Sequence, residues 1–274
     1  MKTIYKSIRR SYRALINKSG LTIVDVFRFF AFIFAKKLPL KADRYLIIAP
    51  HPDDEVFGCA GLLHRLVNDG KNVHVVILTQ GETVHKDPLI GVSAVIAKRR
   101  ELALEAAQAL GLTPNQYTFL NWGSSRLHET QNNPVRQKEL TSIIETFKPE
   151  VIFVPHIYDS APVSGKQNLP DGYADHFYAT EIVNQTIRQL NSQNSSLIPK
   201  ISSFYYCVWI WKRHSPFRLN WRKSYILTMN KNEISAKNKA VDIYELSVDE
   251  YGIPYSGYLY DLPSICRWKK ELFF

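Results

Sequence analysis

The residues most able to do chemistry lie together in Ala49-Pro50-His51-Pro52-Asp53-Asp54-Glu55. Imidazole and carboxylate are both good zinc ligands, and here they fall within four consecutive positions after an apolar run, Tyr45 to Ala49. The prolines on either side of His51 restrict the backbone and cannot continue a strand ladder. A stiff turn of this kind can aim His51 and one of the aspartates at a shared point. A plainer alternative is that Asp53-Asp54 caps the next helix and His51 is a solvated loop residue. The joint occurrence of His, Pro, Asp, Asp and Glu after a strand-like run favours a site.

Stepping outward, the elements that must hold this turn follow an alternating βα pattern. Strands are predicted over Arg44–Ala49, Asn72–Thr79, Tyr117–Leu120 and Val151–Pro155, then within Lys200–Ile210 and Ser224–Met229. Helices are predicted from Glu55 to Asp69 (with Gly70 ending it), over Val92–Leu110 and Pro134–Phe147, from about Asp171 to Leu190, and over Asn232–Tyr244. Such alternation implies a mostly parallel sheet with helices on both faces, a Rossmann-like α/β fold. In open sheets of this class ligands bind at the carboxyl edge of the strands, where His51 to Glu55 fall. A long loop after the fourth strand, running to Pro170, precedes Tyr173-Ala-Asp175-His176. Loops of that length in compact domains are usually functional.

The stretch Ala49 to Glu55, followed by the small-residue helix start Gly58 to Gly61, resembles the (A/P)HPDDE signature of the PIG-L/LmbE-like family of zinc-dependent N-acetylglucosaminyl deacetylases. The resemblance implies His51 and Asp54 as metal ligands and Asp53 as general base. Tyr173-Ala-Asp175-His176 is similar to the family's His-x-Asp-His, which implies His176 as the third ligand and Asp175 as its catalytic partner in the outer shell. Tyr173 replaces the family's first histidine, so its phenol is the expected helper at the carbonyl oxygen, with His156 as a rival candidate. The Lys98-Arg99-Arg100-Glu101 run resembles an Arg-x-x-Glu pattern whose arginine contacts substrate. Counting back from Gly111 selects Arg99, while Arg100 and Lys98 remain competitors. Ser124-Ser125 stand where relatives carry Asp-Gly, and Cys207 where sugar-acting relatives carry Glu, so neither position receives a role. The resemblance covers about residues 44 to 247.

Charge divides the chain. Of the net charge of +10, residues 1 to 44 carry +9, which leaves the body nearly neutral and gives no basic surface for nucleic acid. The arm also holds the aromatic run Phe27 to Phe34. It is too short and too interrupted by charge to cross a bilayer, and it lacks a clear cleavage site. The expectation is a helical arm, residues 1–43, lying on an anionic membrane or packing on the body, ahead of a deacetylase domain, residues 44–274. Three separated cysteines give neither a disulfide framework nor a Cys-zinc site, and a reducing, cytoplasmic location is expected, with the membrane's cytoplasmic face as the peripheral alternative.

The resemblance implies a metal-dependent hydrolase, with one Zn2+ per chain and Fe2+ as the alternative ion, acting on an N-acetyl amino sugar conjugate. Two rivals stand beside it. A phosphoester hydrolase would want ligands for a second metal, and only Glu55, Asp159 and His156 are spare. A non-catalytic carbohydrate-binding protein on the same fold would not need Asp53.

Overall fold

The computed structural model describes residues 33–83, 91–156, 173–192, 200–208, 223–247 and 270–274. In chain order the strands are β1 (Lys36–Lys37), β2 (Arg44–Ala49), β3 (Asn72–Ile77), β4 (Tyr117–Phe119), β5 (Val151–Pro155), β6 (Ser202–Tyr206), β7 (Tyr225–Thr228) and β8 (Lys270–Phe273). The helices are α1 (Asp54–Asn68), α2 (Val92–Ala109), α3 (Pro134–Phe147), α4 (Tyr173–Ser192) and α5 (Lys231–Leu246). Among the described residues the strands form one sheet in the order β1-β7-β8-β6-β5-β2-β3-β4, parallel except where β8 pairs with β6 and β7.

The central strands are apolar on both faces because helices cover both. Tyr45, Ile47 and Ala49 of β2, Val73, Val75 and Ile77 of β3, and Phe153 of β5 pack toward α1, α2 and α5. Their neighbours Leu46, Ile48, Val76, Ile152 and Val154 pack on the other face with Leu140 and Ile144 of α3 and Ile182, Val183 and Ile187 of α4. This period-2 alternation between two buried layers is what a doubly covered parallel sheet requires. From β2 the chain steps to β3 and β4 on one side, then returns to β5 on the other. The direction of winding therefore reverses between β2 and β5, and the carboxyl ends of those two strands are the natural binding crevice.

Lys36–Lys37 is a strand paired in parallel with β7, and Leu38 is buried in the core beneath it. Residues 36–38 of the expected arm therefore pack on the body, while Ile33 and Phe34 are helical. Residues 1–32 lie outside the described residues, as do the long loop from 157 to 172 and the aromatic stretch from 248 to 269. Residues 270–273 form β8, between β7 and β6. No helix among the described residues is long and apolar enough to cross a membrane.

Candidate metal centre and active site

The turn after β2 is built by backbone pairing. Pro50 O accepts from Thr79 N and from Thr79 Oγ1, which holds the turn against the end of β3. Asp53 occupies the N-cap position of α1, but its carboxylate makes no cap hydrogen bond. The helix-capping alternative for Asp53 is therefore not what the chain does. Its φ of 146° is positive, a region that an L-residue enters only under restraint, at a cost of about 1–3 kcal/mol. Strain of this size persists where the surroundings over-determine the conformation. Here the Asp53 N–H donates to Glu55 Oε2 at 3.1 Å, and Arg99 Nη2 donates to Asp53 Oδ2 at 3.2 Å and to Pro52 O at 2.8 Å.

Asp54 turns the other way. Its Oδ2 accepts from His51 N at 3.1 Å and lies 3.0 Å from His51 Nδ1 and 3.3 Å from His176 Nε2. His176 comes from the first turn of α4. Thr180 clips that turn to the sheet by donating from Oγ1 to Pro155 O and His176 O. The ligand atoms of His51, Asp54 and His176 lie within 4.8 Å of one another and all three residues are buried.

Asp175 secures the cluster from behind. Its Oδ2 lies 3.1 Å from His51 Nε2 and accepts from Ser125 N, while Oδ1 accepts from Leu127 N. The carboxylate orients the His51 ring from Nε2 and leaves Nδ1 facing Asp54, as the outer partners of ligating imidazoles do. Two imidazoles and one carboxylate, convergent, buried and braced in this way, fit a single divalent cation with room for a further ligand.

Burial sets the proton affinities. For His51 it opposes the cation, but hydrogen bonds to Asp175 and Asp54 outweigh it and raise the imidazole to about 9. Burial also works against the Asp54 anion, yet His176 and His51 hold that carboxyl well below its ordinary range. Asp53 moves upward because it is buried, with Arg99 pulling it partly back. Glu55 is pushed up to about 8 by burial and by the neighbouring Asp53. Two adjacent carboxyls thus diverge: Asp54 is held as the anion a metal needs, whereas Asp53 is shifted toward the range where a carboxyl can take and return a proton.

Of the residues expected from sequence, His51, Asp53, Asp54, Asp175, His176 and Arg99 are brought together. Of the three competing cations only Arg99 reaches the site. Lys98 pairs with Glu101, and Arg100 lies over the Phe119 ring. Arg99 is buried, with Nη2 against Asp53. Tyr173 heads α4, and its side chain lies outside the described residues. His156 follows β5 and packs edge-on against Tyr205 and Phe274, apart from the metal group. Sequence reading missed Glu55 as a backbone clamp, and missed the Ser124–Leu127 loop that grips Asp175. It also missed Glu82, whose carboxylate accepts from Ser124 N and Oγ and so shapes that loop. Gly123-Ser-Ser was a turn signal, but a loop that acts through its amides leaves no side-chain signature.

Fold and site together define an α/β protein with a buried His-Asp-His group fit to hold a metal at the sheet's switch point. The chain belongs to the PIG-L family: the family model described as GlcNAc-PI de-N-acetylase matches residues 46–188. It is similar to a diacetylchitobiose deacetylase of Thermococcus kodakarensis, 28% identical over 137 residues, a segment that covers 50% of this chain and 46% of that relative. It is also similar to an uncharacterized deacetylase, YaiS, of Escherichia coli, 27% identical over 153 residues, covering 55% of this chain and 72% of the relative. Among solved structures, the N,N'-diacetylchitobiose deacetylase of Pyrococcus horikoshii superposes with a TM-score of 0.55 at 20% identity, covering 89% of this chain and 80% of that one, a likeness of fold.

Proposed function

We propose that the protein is a metal-dependent N-deacetylase that removes the acetyl group from an N-acetylglucosamine conjugate or a similar N-acetyl amino sugar. The observation that carries this reading is the buried His51-Asp54-His176 group with a further buried carboxylate, Asp53, next to ligand Asp54 and paired with Arg99. The PIG-L membership and the deacetylase names of two relatives support it. The proposed ion is one Zn2+ per chain, with Fe2+ as the alternative in a nitrogen–oxygen site. Such an ion, when bound, polarises the amide carbonyl and acidifies a water. Asp53 takes the proton from the attacking water and returns it to the nitrogen as the C–N bond breaks, leaving acetate and a free amine. Tyr173 is assigned as a hydrogen-bond donor to the carbonyl oxygen, and Asp175 orients the His51 ring.

The test is acetate release from a panel of N-acetylglucosaminyl acceptors, lipid-linked ones included, with metal content measured on the same preparation. Metal with acetate release is expected. Bound metal with phosphate release instead would favour the phosphoester alternative, and sugar binding without turnover would favour the non-catalytic one.

The partner of the basic arm is proposed to be an anionic membrane on the cytoplasmic side. Residues 1 to 44 carry +9, and Ile33 and Phe34, where the described part begins, are exposed. Each basic residue near an anionic leaflet is worth roughly 1 kcal/mol, screened by salt. Full-length protein should cosediment with anionic vesicles and be partly released by salt. A truncation removing residues 1–32 keeps β1 and Leu38 and should stay in the supernatant. Equal vesicle binding by both would exclude the arm as anchor.

A further inference from the structure

Arg99 is the largest fully buried side chain among the described residues, and its guanidinium lies against the residue assigned as base. Its Nη2 reaches both the Pro52 carbonyl and the Asp53 carboxylate, so one planar group grips the peptide before Asp53 and the side chain of Asp53 itself. The loop leaving β3 fixes the guanidinium in turn. Gly81 has a φ of +67°, and a Cβ added there would run into Arg99 Nε and stand 2.7 Å from Cζ and Nη2. Only glycine lets the backbone lie this close. Glu55 completes the grip by accepting the Asp53 N–H. Asp53 is thus held at its amide, at the carbonyl before it and at its carboxylate, while its φ remains one that few L-residues adopt.

We infer that Arg99 is a positioning residue that acts through Asp53, with Gly81 as the platform that sets the guanidinium and Glu55 as the clamp on the backbone. The inference rests on the reading of Asp53 as general base, and it differs from the substrate contact that the family resemblance implies for this arginine. Its Nη2 is given to Pro52 O and Asp53 Oδ2, which turns the buried group toward the base. It supplies geometry: a carboxylate displaced by about 1 Å from the productive position can lose on the order of 100-fold in rate.

The experiment compares Arg99→Met, Arg99→Lys, Gly81→Ala, Asp53→Asn and the double variant Asp53→Asn/Arg99→Met, measuring kcat, KM and bound metal for an acceptor that the wild type deacetylates. Arg99→Met is expected to keep its metal and its KM while kcat falls about 100-fold. Arg99→Lys should recover part of that loss, since an ammonium restores the charge but not the fork. Gly81→Ala should lower kcat in the same direction with the guanidinium still present. The double variant should be no slower than Asp53→Asn alone, because residues that act through one another are non-additive. A raised KM with unchanged kcat in Arg99→Met, or losses that add in the double variant, would overturn the inference. If Arg99→Met does not fold, Arg99→Lys and Gly81→Ala with the same kinetics decide it. If the wild type deacetylates no acceptor, the functional reading fails, and crystal structures of wild type and variant still test the positioning. Asp53 keeping its φ and carboxylate position without the guanidinium would refute it.

Discussion

The site is assembled from two halves of different construction. The β2–α1 turn delivers His51, Asp53, Asp54 and Glu55 from one short segment, with the backbone itself setting their directions. The α4 half delivers Asp175, 124 positions beyond His51, and His176, and its alignment depends on contacts with other elements. Asp175 reaches His51 and two amides of the 124–127 loop, and Thr180 reaches the end of β5. The first half is local chemistry made rigid by strain and by Arg99. The second is docking, in which one buried carboxylate joins α4 to the turn. The contrast teaches that Asp54 and His176 can be equal as ligands while the structures that present them fail in different ways.

The largest expected effect comes from removing a ligand on either side. His51→Ala and His176→Ala should each abolish tight metal binding, measured by elemental analysis after dialysis, and abolish acetate release with it. Equal loss shows that both halves supply the same ion. Full metal occupancy in His176→Ala would detach the α4 half from the metal and return His156 to consideration.

Next is Asp53→Asn, which leaves all three ligands in place. Metal content should match the wild type while kcat falls at least about 100-fold, the scale of general acid–base help. Near-normal turnover with full metal would remove Asp53 as base and leave the turn with ligation alone. On the docking half, Asp175→Asn should be milder. Outer partners of metal ligands typically matter by about 10–100-fold in affinity or activity. Metal titration of the variant, compared with His176→Ala, separates a loosened α4 from a missing ligand. If Asp175→Asn binds metal as tightly as wild type, the brace between the halves is not needed for the ion.

The same contrast decided what could be read from the chain. His51 to Glu55 were legible because local sequence fixes their strand, turn and helix. The sheet alternation was legible because both faces of β2, β3 and β5 are buried. Arg99 was located, but its partner was not, since nothing in the α2 sequence says that its guanidinium crosses to Pro52 and Asp53. The charge of the arm gave no sign of the two-residue strand made of Lys36 and Lys37. Strand β8 was missed for a related reason. Lys270-Glu-Leu-Phe is short and half charged, and Glu271 is buried only because partners distant in sequence await it.

The smallest effect on chemistry should come from that buried acid, which supports the β2–α1 half from behind. Glu271 accepts from the amides of Gly61 and Leu62 in the middle of α1 and from Lys237 Nζ at 2.7 Å. A Cβ at Gly61 would meet the Met229 sulfur and stand 3.2 Å from Glu271 Oε1, so the small residue admits the carboxylate to the helix. Glu271→Gln keeps the shape but leaves the Lys237 ammonium without its counter-charge, and breaking a buried pair costs about 3–5 kcal/mol. Urea unfolding should show that loss, and Lys237→Met/Glu271→Gln should restore part of it by removing the orphaned charge. Asp53 and Asp54 sit at the far end of α1 and are held by His51, His176 and Arg99, so kcat of the folded variant should stay near wild type. A fall in kcat comparable to that of Asp53→Asn would instead mean that the turn is not rigid on its own. The local half of the site would then depend on docking as much as α4 does.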